Sequence, residues 1–380
     1  MSDVQSRTAL SQIAPARLYN FFINKIDDKE ISKTALGVYT MRLGGVAAAF
    51  LLQILVARMV GAESFGIFAF SWVLATCIGQ FCCCGFNETA SRFLPAYIVA
   101  NDLKRARGFI QFSGFFVFTI SSIVCLAGIA LAVLLREYIP APYFMPTLLG
   151  LTCAPLLCTT HLKENIAISR SLALRGLTPT YIVRPLLIIV FAAIMLYLGL
   201  SANADTIMAA LLVASISTLI LQTVLLKNPL RSQLSSGKAV TEVRLWLSAS
   251  LPLLFAQGFF ILATSLDVFV LSGIVSAQDV GIYFAAAKIV ACVSFVQMAV
   301  GSAITRRLSE ANQVADRAAF AKHFERGQAM MLWPTLVGCT ILALASPLLL
   351  QLFGSEFVSG TPIVVVLALG IIIQAAAGPI

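Results

Sequence analysis

Ten long apolar runs constrain this 380-residue chain more than any other feature. They are Thr34–Val60, Phe65–Gly85, Gly108–Leu135, Tyr143–Thr160, Pro179–Leu200, Thr206–Leu226, Leu245–Val275, Val280–Val300, Met330–Leu350 and Pro362–Ala377. About 20 mainly apolar residues suffice to carry a helix across the roughly 30 Å hydrocarbon core of a bilayer. Charged residues are 11% of the chain and apolar ones 59%, a balance far from that of soluble domains. The chain therefore reads as an all-α, polytopic membrane helix bundle. Prolines 155, 185, 252, 334 and 347 fall inside the runs and predict kinks, tolerated where neighbours satisfy the freed carbonyls.

The net charge of +9 raises the question of nucleic acid. The positions of the basic residues answer it. Residues 1–42 carry six Lys/Arg, and the second, fourth, sixth and eighth connections carry four, four, four and five. The odd-numbered connections carry one, Arg136. This asymmetry predicts a cytoplasmic N-terminus and accounts for the net charge with no nucleic-acid partner. The nine cysteines all lie in apolar runs without ligand-like spacing to either histidine, His161 or His323, and read as packing residues. No metal or cofactor site is expected. Residues 1–33 form a polar leader with one amphipathic patch, Leu18–Ile26, suited to lie on the inner membrane surface.

The chain aligns with itself at a shift of 215 residues. Val60, Ala62 and Gly66-Ile67-Phe68 fall on Val275, Ala277 and Gly281-Ile282-Tyr283; Cys77 falls on Cys292, Arg92 on Arg307 and Phe109 on Phe324. The shift spans six helices, an even number, so the copies share one topology and an axis along the membrane normal. The expected domains are a leader (1–33), a first six-helix lobe (34–248) and a second, pseudo-symmetric lobe (249–380) present as its first four helices. A complete second copy would continue past Ile380.

Within Ser265–Lys288, Asp267 and Lys288 lie at equal distances from the connection between two runs. At 1.5 Å per residue both fall about 15 Å from the turn, near mid-membrane. Charges at that depth are costly unless paired or facing water, and mark function by default. Two compatible readings stay open: a cavity cation at Lys288, and an Asp267–Lys288 ion pair clamping two helices. Asp267 is also a candidate for taking up a proton or Na⁺.

Four stretches carry a family resemblance: GAESFGIFAF (61–70), CGFNETASRFLPAY (84–97), LALRGL (172–177) and LDVFVLSGIVSAQDVGIYFAAAKIV (266–290). Together they resemble the Wzx-like polysaccharide flippases of the multidrug/oligosaccharidyl-lipid/polysaccharide exporter superfamily, over about residues 34–380. The resemblance implies a MATE-like fold, two lobes around a central cavity, and a place in the bacterial inner membrane. It implies outward flipping of an undecaprenyl-pyrophosphate-linked oligosaccharide for O-antigen, capsule or exopolysaccharide. Polysaccharide polymerase or export machinery are then candidate partners beside the lipid-linked oligosaccharide and the bilayer.

Such a protein needs cations for phosphate and hydrogen-bonding groups for sugar, and no nucleophile. The candidates are Lys288, Asp267, Arg42, Gln53 and Gln257, with Gln80 and Gln297 also in the spans. Lys288 matches a basic position that often follows Gly-x-Tyr in these flippases. Arg58, close to a helix end, reads as an interfacial anchor that snorkels. Arg92 and Arg307 read as lipid-headgroup or helix-capping residues. Arg184 suits the inner mouth, although the positive-inside rule alone accounts for it. A multidrug or metabolite exporter on the same scaffold is the nearest rival. A membrane enzyme is disfavoured: the first outer loop offers only Glu63, both histidines are read as lying in connections, and no GxxxxGK[ST] motif occurs.

Overall fold

The computed structural model describes residues 28–234, 238–313 and 317–378, with side chains omitted at 28–36, 39, 295–296 and 298–323. Most of the leader, with its amphipathic patch, and the side chains of Arg307 and His323 lie outside the described residues. The described residues form α1 Asp28–Cys82, α2 Phe86–Val99, α3 Leu103–Leu134, α4 Ala141–Ser169, α5 Ala173–Thr178 and α6 Arg184–Tyr197. They continue with α7 Ala204–Gln233, α8 Val243–Ile274, α9 Ala277–Gln313, α10 Arg317–Gln351 and α11 Thr361–Ala377.

Nine helical stretches among the described residues are long and apolar enough to cross a membrane. The first, Thr40–Cys82, is 43 residues long and breaks at Gly61, where φ is 76° and ψ 173°. That left-handed, extended conformation is open to glycine and costly for other residues. Phe50, before the break, and Phe65, after it, both pack on Phe353, with ring centroids 5.7 and 6.4 Å away. Fifteen residues of straight helix would hold them about 22 Å apart. The chain therefore turns back at Gly61, giving limbs α1a (28–60) and α1b (62–82) and ten crossings among the described residues.

Polar caps fix several other reversals. The Asp102 side chain accepts the Arg105 amide at 3.1 Å to start α3, and Asn203 accepts the Thr206 amide at 3.0 Å to start α7. The bundle thus has a Gly61 end and an Asp102 end. α2 is a separate amphipathic helix at the Asp102 end. The run read as Tyr143–Thr160 continues helically to Ser169, and the next crossing begins one short helix early, at Ala173.

Two main cores hold the bundle. The one toward the Gly61 end draws on α1, α4, α6, α7, α8, α9, α10 and α11, with Phe65 at its centre, ringed by Phe68, Phe284, Phe353 and Phe357. The one toward the Asp102 end joins Phe86, Phe109, Cys83 and Cys158 to Trp246, the fourth residue of α8. α8 then runs along α1b from Ser250 beside Gly85, past Gly258 beside Phe81, to Phe269 beside Phe70. Its outer side, with Leu251, Phe255, Phe259 and Phe260, is exposed, as suits a helix against lipid.

The segment before α8 is tied to the first half of the chain. The Val240 amide donates to the Lys104 carbonyl at 3.2 Å, and Arg107 donates to the Leu234 carbonyl at 3.1 Å. Arg105 bridges Glu242 and Asp102, each at 3.0 Å. Trp246 Nε1 donates to the Tyr97 hydroxyl at 2.9 Å, which donates to Glu242 at 3.2 Å.

Candidate functional site

A cavity of about 270 Å³ lies between α1a, α1b, α4 and the start of α6, and Phe284 of α9 closes it. A local irregularity shapes its wall. Pro185 has no N–H for the carbonyl of Tyr181, and its ring crowds that carbonyl. The helix widens accordingly into a π-helical turn over Pro179–Val183, a distortion often found at functional sites. Thr180, Tyr181 and Arg184 from this region all line the cavity. Gly45 faces the turn, where a Cβ would press on the Tyr181 ring at 2.7 Å.

The other walls bring His161 and Glu164 from α4, Gln53 from α1a, and Trp72 from α1b. The Arg184 guanidinium lies over the Trp72 ring, 5.8 Å from its centroid. Glu164 is within electrostatic reach of both Arg184 and His161, yet no ion pair joins it to Arg184 among the described residues. Glu164 Oε1, Arg184 Nη1, Gln53 Oε1 and Thr180 Oγ1 are all buried without a hydrogen-bond partner. Buried polar atoms are ordinarily paired, so four unpaired atoms on residues of one cavity make it the candidate ligand site.

The Asp267–Lys288 pair is arranged differently from an ion-pair clamp. No ion pair joins the two among the described residues. Asp267 Oδ2 accepts the Tyr283 hydroxyl at 2.6 Å, and Oδ1 accepts the Val268 amide at 2.9 Å. Lys288 Nζ instead lies 4.5 Å from the centroid of the Phe284 ring. Phe284 lines the cavity, so Lys288 stands directly behind its wall.

Of the other residues singled out by sequence, Gln53 lines the cavity and Arg42 lies exposed at one end of it, within electrostatic reach of Tyr181. Gln257 is half-buried on α8 and does not line the cavity. Gln297 donates to the Ile371 carbonyl at 3.1 Å, tying α9 to α11. Arg58, read as an interfacial anchor, donates to the carbonyls of Leu352 at 2.6 Å and Gln351 at 3.3 Å. It thereby caps the end of α10.

His161, Glu164 and Tyr181 were missed as site residues. The first two were placed in a connection because the apolar run stops at Thr160. The signal was available: HLKENIAIS contains no Gly or Pro, so nothing ends the helix before Arg170.

The fold is shared with solved transporters of the MOP superfamily. The chain superposes with a TM-score of 0.72 on an inward-facing conformation of a multidrug resistance MATE family transporter, at 14% identity over 88% of this chain and 81% of that one. It superposes at 0.62 on the lipid II flippase MurJ in an inward closed conformation, at 15% identity, covering 90% and 73%. A MOP superfamily transporter from Pyrococcus furiosus gives 0.60 at 14% identity, covering 90% and 80%. No curated protein matches the sequence. Residues 35–311 match the model of a polysaccharide biosynthesis protein family, and the chain belongs to that family.

Proposed function

We propose that the protein flips a lipid-linked oligosaccharide, carried on undecaprenyl pyrophosphate, across the bacterial inner membrane for surface polysaccharide synthesis. The protein acts as a transporter and not as an enzyme. The lobes 34–248 and 249–380 rock about the cavity, with the N-terminus cytoplasmic and the Asp102 end facing the cytoplasm. The observation that carries this reading is Arg184: a guanidinium on the cavity wall, lying over Trp72 and with a buried, unpartnered Nη1. Such a charge in a bundle interior marks a substrate pathway.

In this reading Arg42 meets the diphosphate at the cavity mouth, and Lys288 adds positive potential from behind Phe284. Asp267 and Gln257 belong to the path on the second lobe, and Asp267 is the candidate for ion coupling. The lipid tail stays in the bilayer along the exposed face of α8. Membership of the polysaccharide biosynthesis family and the fold shared with a lipid II flippase both favour this substrate class.

Proteoliposomes carrying the protein and a fluorescent short-chain polyprenyl diphosphate oligosaccharide test it. Translocation faster than in empty vesicles, slowed about tenfold or more by Arg184→Ala, is expected; a lost charged hydrogen bond has that size. Wild-type vesicles no faster than empty ones would overturn the reading. Uptake of a cationic dye in their place would favour the multidrug exporter.

A further inference from the structure

The flippase reading leaves open which part of the substrate the cavity takes, and the inference drawn here rests on that reading. The four unpartnered atoms on the wall are chemically uneven. Glu164 Oε1 and Gln53 Oε1 only accept hydrogen bonds, Thr180 Oγ1 both accepts and donates, and Arg184 Nη1 only donates. Glu164 and Thr180 are 6% and 4% exposed, so water at the surface does not serve them.

A diphosphate fits this wall poorly. It offers acceptors and negative charge, and would set its oxygens against a buried carboxylate. A bare cation would satisfy the three oxygens but would face the Arg184 guanidinium and leave Nη1 unmet. A sugar ring meets every requirement. Its hydroxyls donate to Glu164 and Gln53, accept from Arg184, and do either with Thr180, while Trp72 and Tyr181 offer aromatic surface to its C–H face. The volume agrees: about 270 Å³ lies just below the roughly 300–1,000 Å³ of pockets for drug-sized ligands. It holds one ring and excludes a whole oligosaccharide with its diphosphate.

We propose that this cavity is a sugar subsite, in which Glu164 and Arg184 read the hydroxyls of one ring of the lipid-linked unit while the diphosphate stays outside, beside Arg42. Glu164 then sets specificity for the sugar and contributes nothing to holding the phosphates.

The experiment uses the whole protein in nanodiscs and two kinds of probe: a short-chain polyprenyl diphosphate, and the same lipid carrying glucosyl, galactosyl or N-acetylglucosaminyl. Binding is read from tryptophan emission, with Trp72→Phe identifying the cavity signal. At least one sugar-bearing probe is expected to bind about tenfold or more tightly than the sugarless one, through charged hydrogen bonds. Glu164→Gln, which keeps the shape, is expected to bring that ratio close to one. Binding of the sugarless probe reports that the variant is folded.

An unchanged ratio in Glu164→Gln overturns the proposal. So does equal weakening of both probes, or an effect that appears only with Na⁺, which would make the cavity a cation site. These outcomes leave the flippase reading standing. Failure of the wild-type protein to bind either probe sinks that reading, and the subsite with it.

Discussion

Gly66 of α1b and Gly281 of α9 lie backbone against backbone, each on the other's helix. A Cβ on Gly66 would overlap the Ala277 carbonyl oxygen and stand 2.8 Å from the Gly281 nitrogen. A Cβ on Gly281 would overlap the Ala62 carbonyl oxygen and stand 3.0 Å from the Gly66 nitrogen. The contact is reciprocal, and its two halves are related by the 215-residue shift that superposes Ala62 on Ala277 and Gly66 on Gly281. The repeat in sequence thus corresponds to a local two-fold relation in space.

Gly66→Ala and Gly281→Ala are therefore expected to act alike. Each overpacks the same crossing, at a cost of about 1–3 kcal/mol to this arrangement. Because they share one contact, the double variant should cost less than the two single costs added together. Hydrogen exchange of the amides at 62–66 and 277–281 reads the effect, and should speed up at both segments in either variant. Faster exchange at only one segment would show that the two sides are not coupled.

Beside that crossing, Arg58 and Glu356 exchange helix-end contacts. Arg58 meets the carbonyls that end α10, and Glu356 Oε2 accepts the Ala62 amide at 3.2 Å, at the start of α1b. Each charge complements the dipole of the helix end it touches, which is worth about 0.3–1 kcal/mol and more where partly buried. Arg58→Gln and Glu356→Gln are each expected to lower the apparent melting temperature in detergent by a few degrees. Arg92→Gln, at an exposed position on α2, should leave it nearly unchanged. Equal melting of all three variants would show that these contacts do not stabilise the Gly61 end.

The crossings were legible in the sequence because hydrophobic length is a strong signal; that the two Gly-Ile-aromatic copies meet was not, because a repeat gives register and not contact. The cavity was less legible for two physical reasons. Glu164 and His161 lie on polar turns added to α4 beyond its apolar run, so hydropathy assigned them to a loop. Arg184 follows the π-helical turn Pro179–Val183, where side-chain direction departs from the 3.6-residue period. The partners of Asp267 and Lys288 were not legible, because they depend on Tyr283 and Phe284 lying nearer than each other's charges.

That arrangement changes what a charge swap should do. With an Asp267–Lys288 ion pair, exchanging the two residues would preserve the interaction. With Asp267 held by the Tyr283 hydroxyl and Lys288 over Phe284, the exchange places a lysine against a hydroxyl and a carboxylate against an aromatic face. Ring faces are negative and repel anions. The double variant Asp267→Lys/Lys288→Asp is expected to be at least as impaired in transport as either single alanine variant. Tyr283→Phe should lose about 1.5–3 kcal/mol for a hydrogen bond to a charged group, and Asp267→Asn less, because its amide oxygen still accepts the Tyr283 hydroxyl. Rescue by the swap, measured as restored transport, would return the pair to the role of a clamp.

The connection before α8 supplies a pH dependence outside the spans. Tyr97 is 9% exposed, and burial pushes its hydroxyl above the ordinary value of 10.0. Donation from Trp246 opposes that shift, and the nearby Glu242 carboxylate reinforces it. The folded chain thus holds the hydroxyl neutral at a pH where the unfolded chain has begun to ionise it. By linkage this contribution to stability is complete below pH about 10 and is lost as pH rises through the higher folded value. The melting temperature of the wild type should therefore fall between pH 9 and 11. Tyr97→Phe should begin lower, having lost the bonds to Trp246 and Glu242, and should fall less steeply over that range. Parallel slopes would show that some other group sets the alkaline limit.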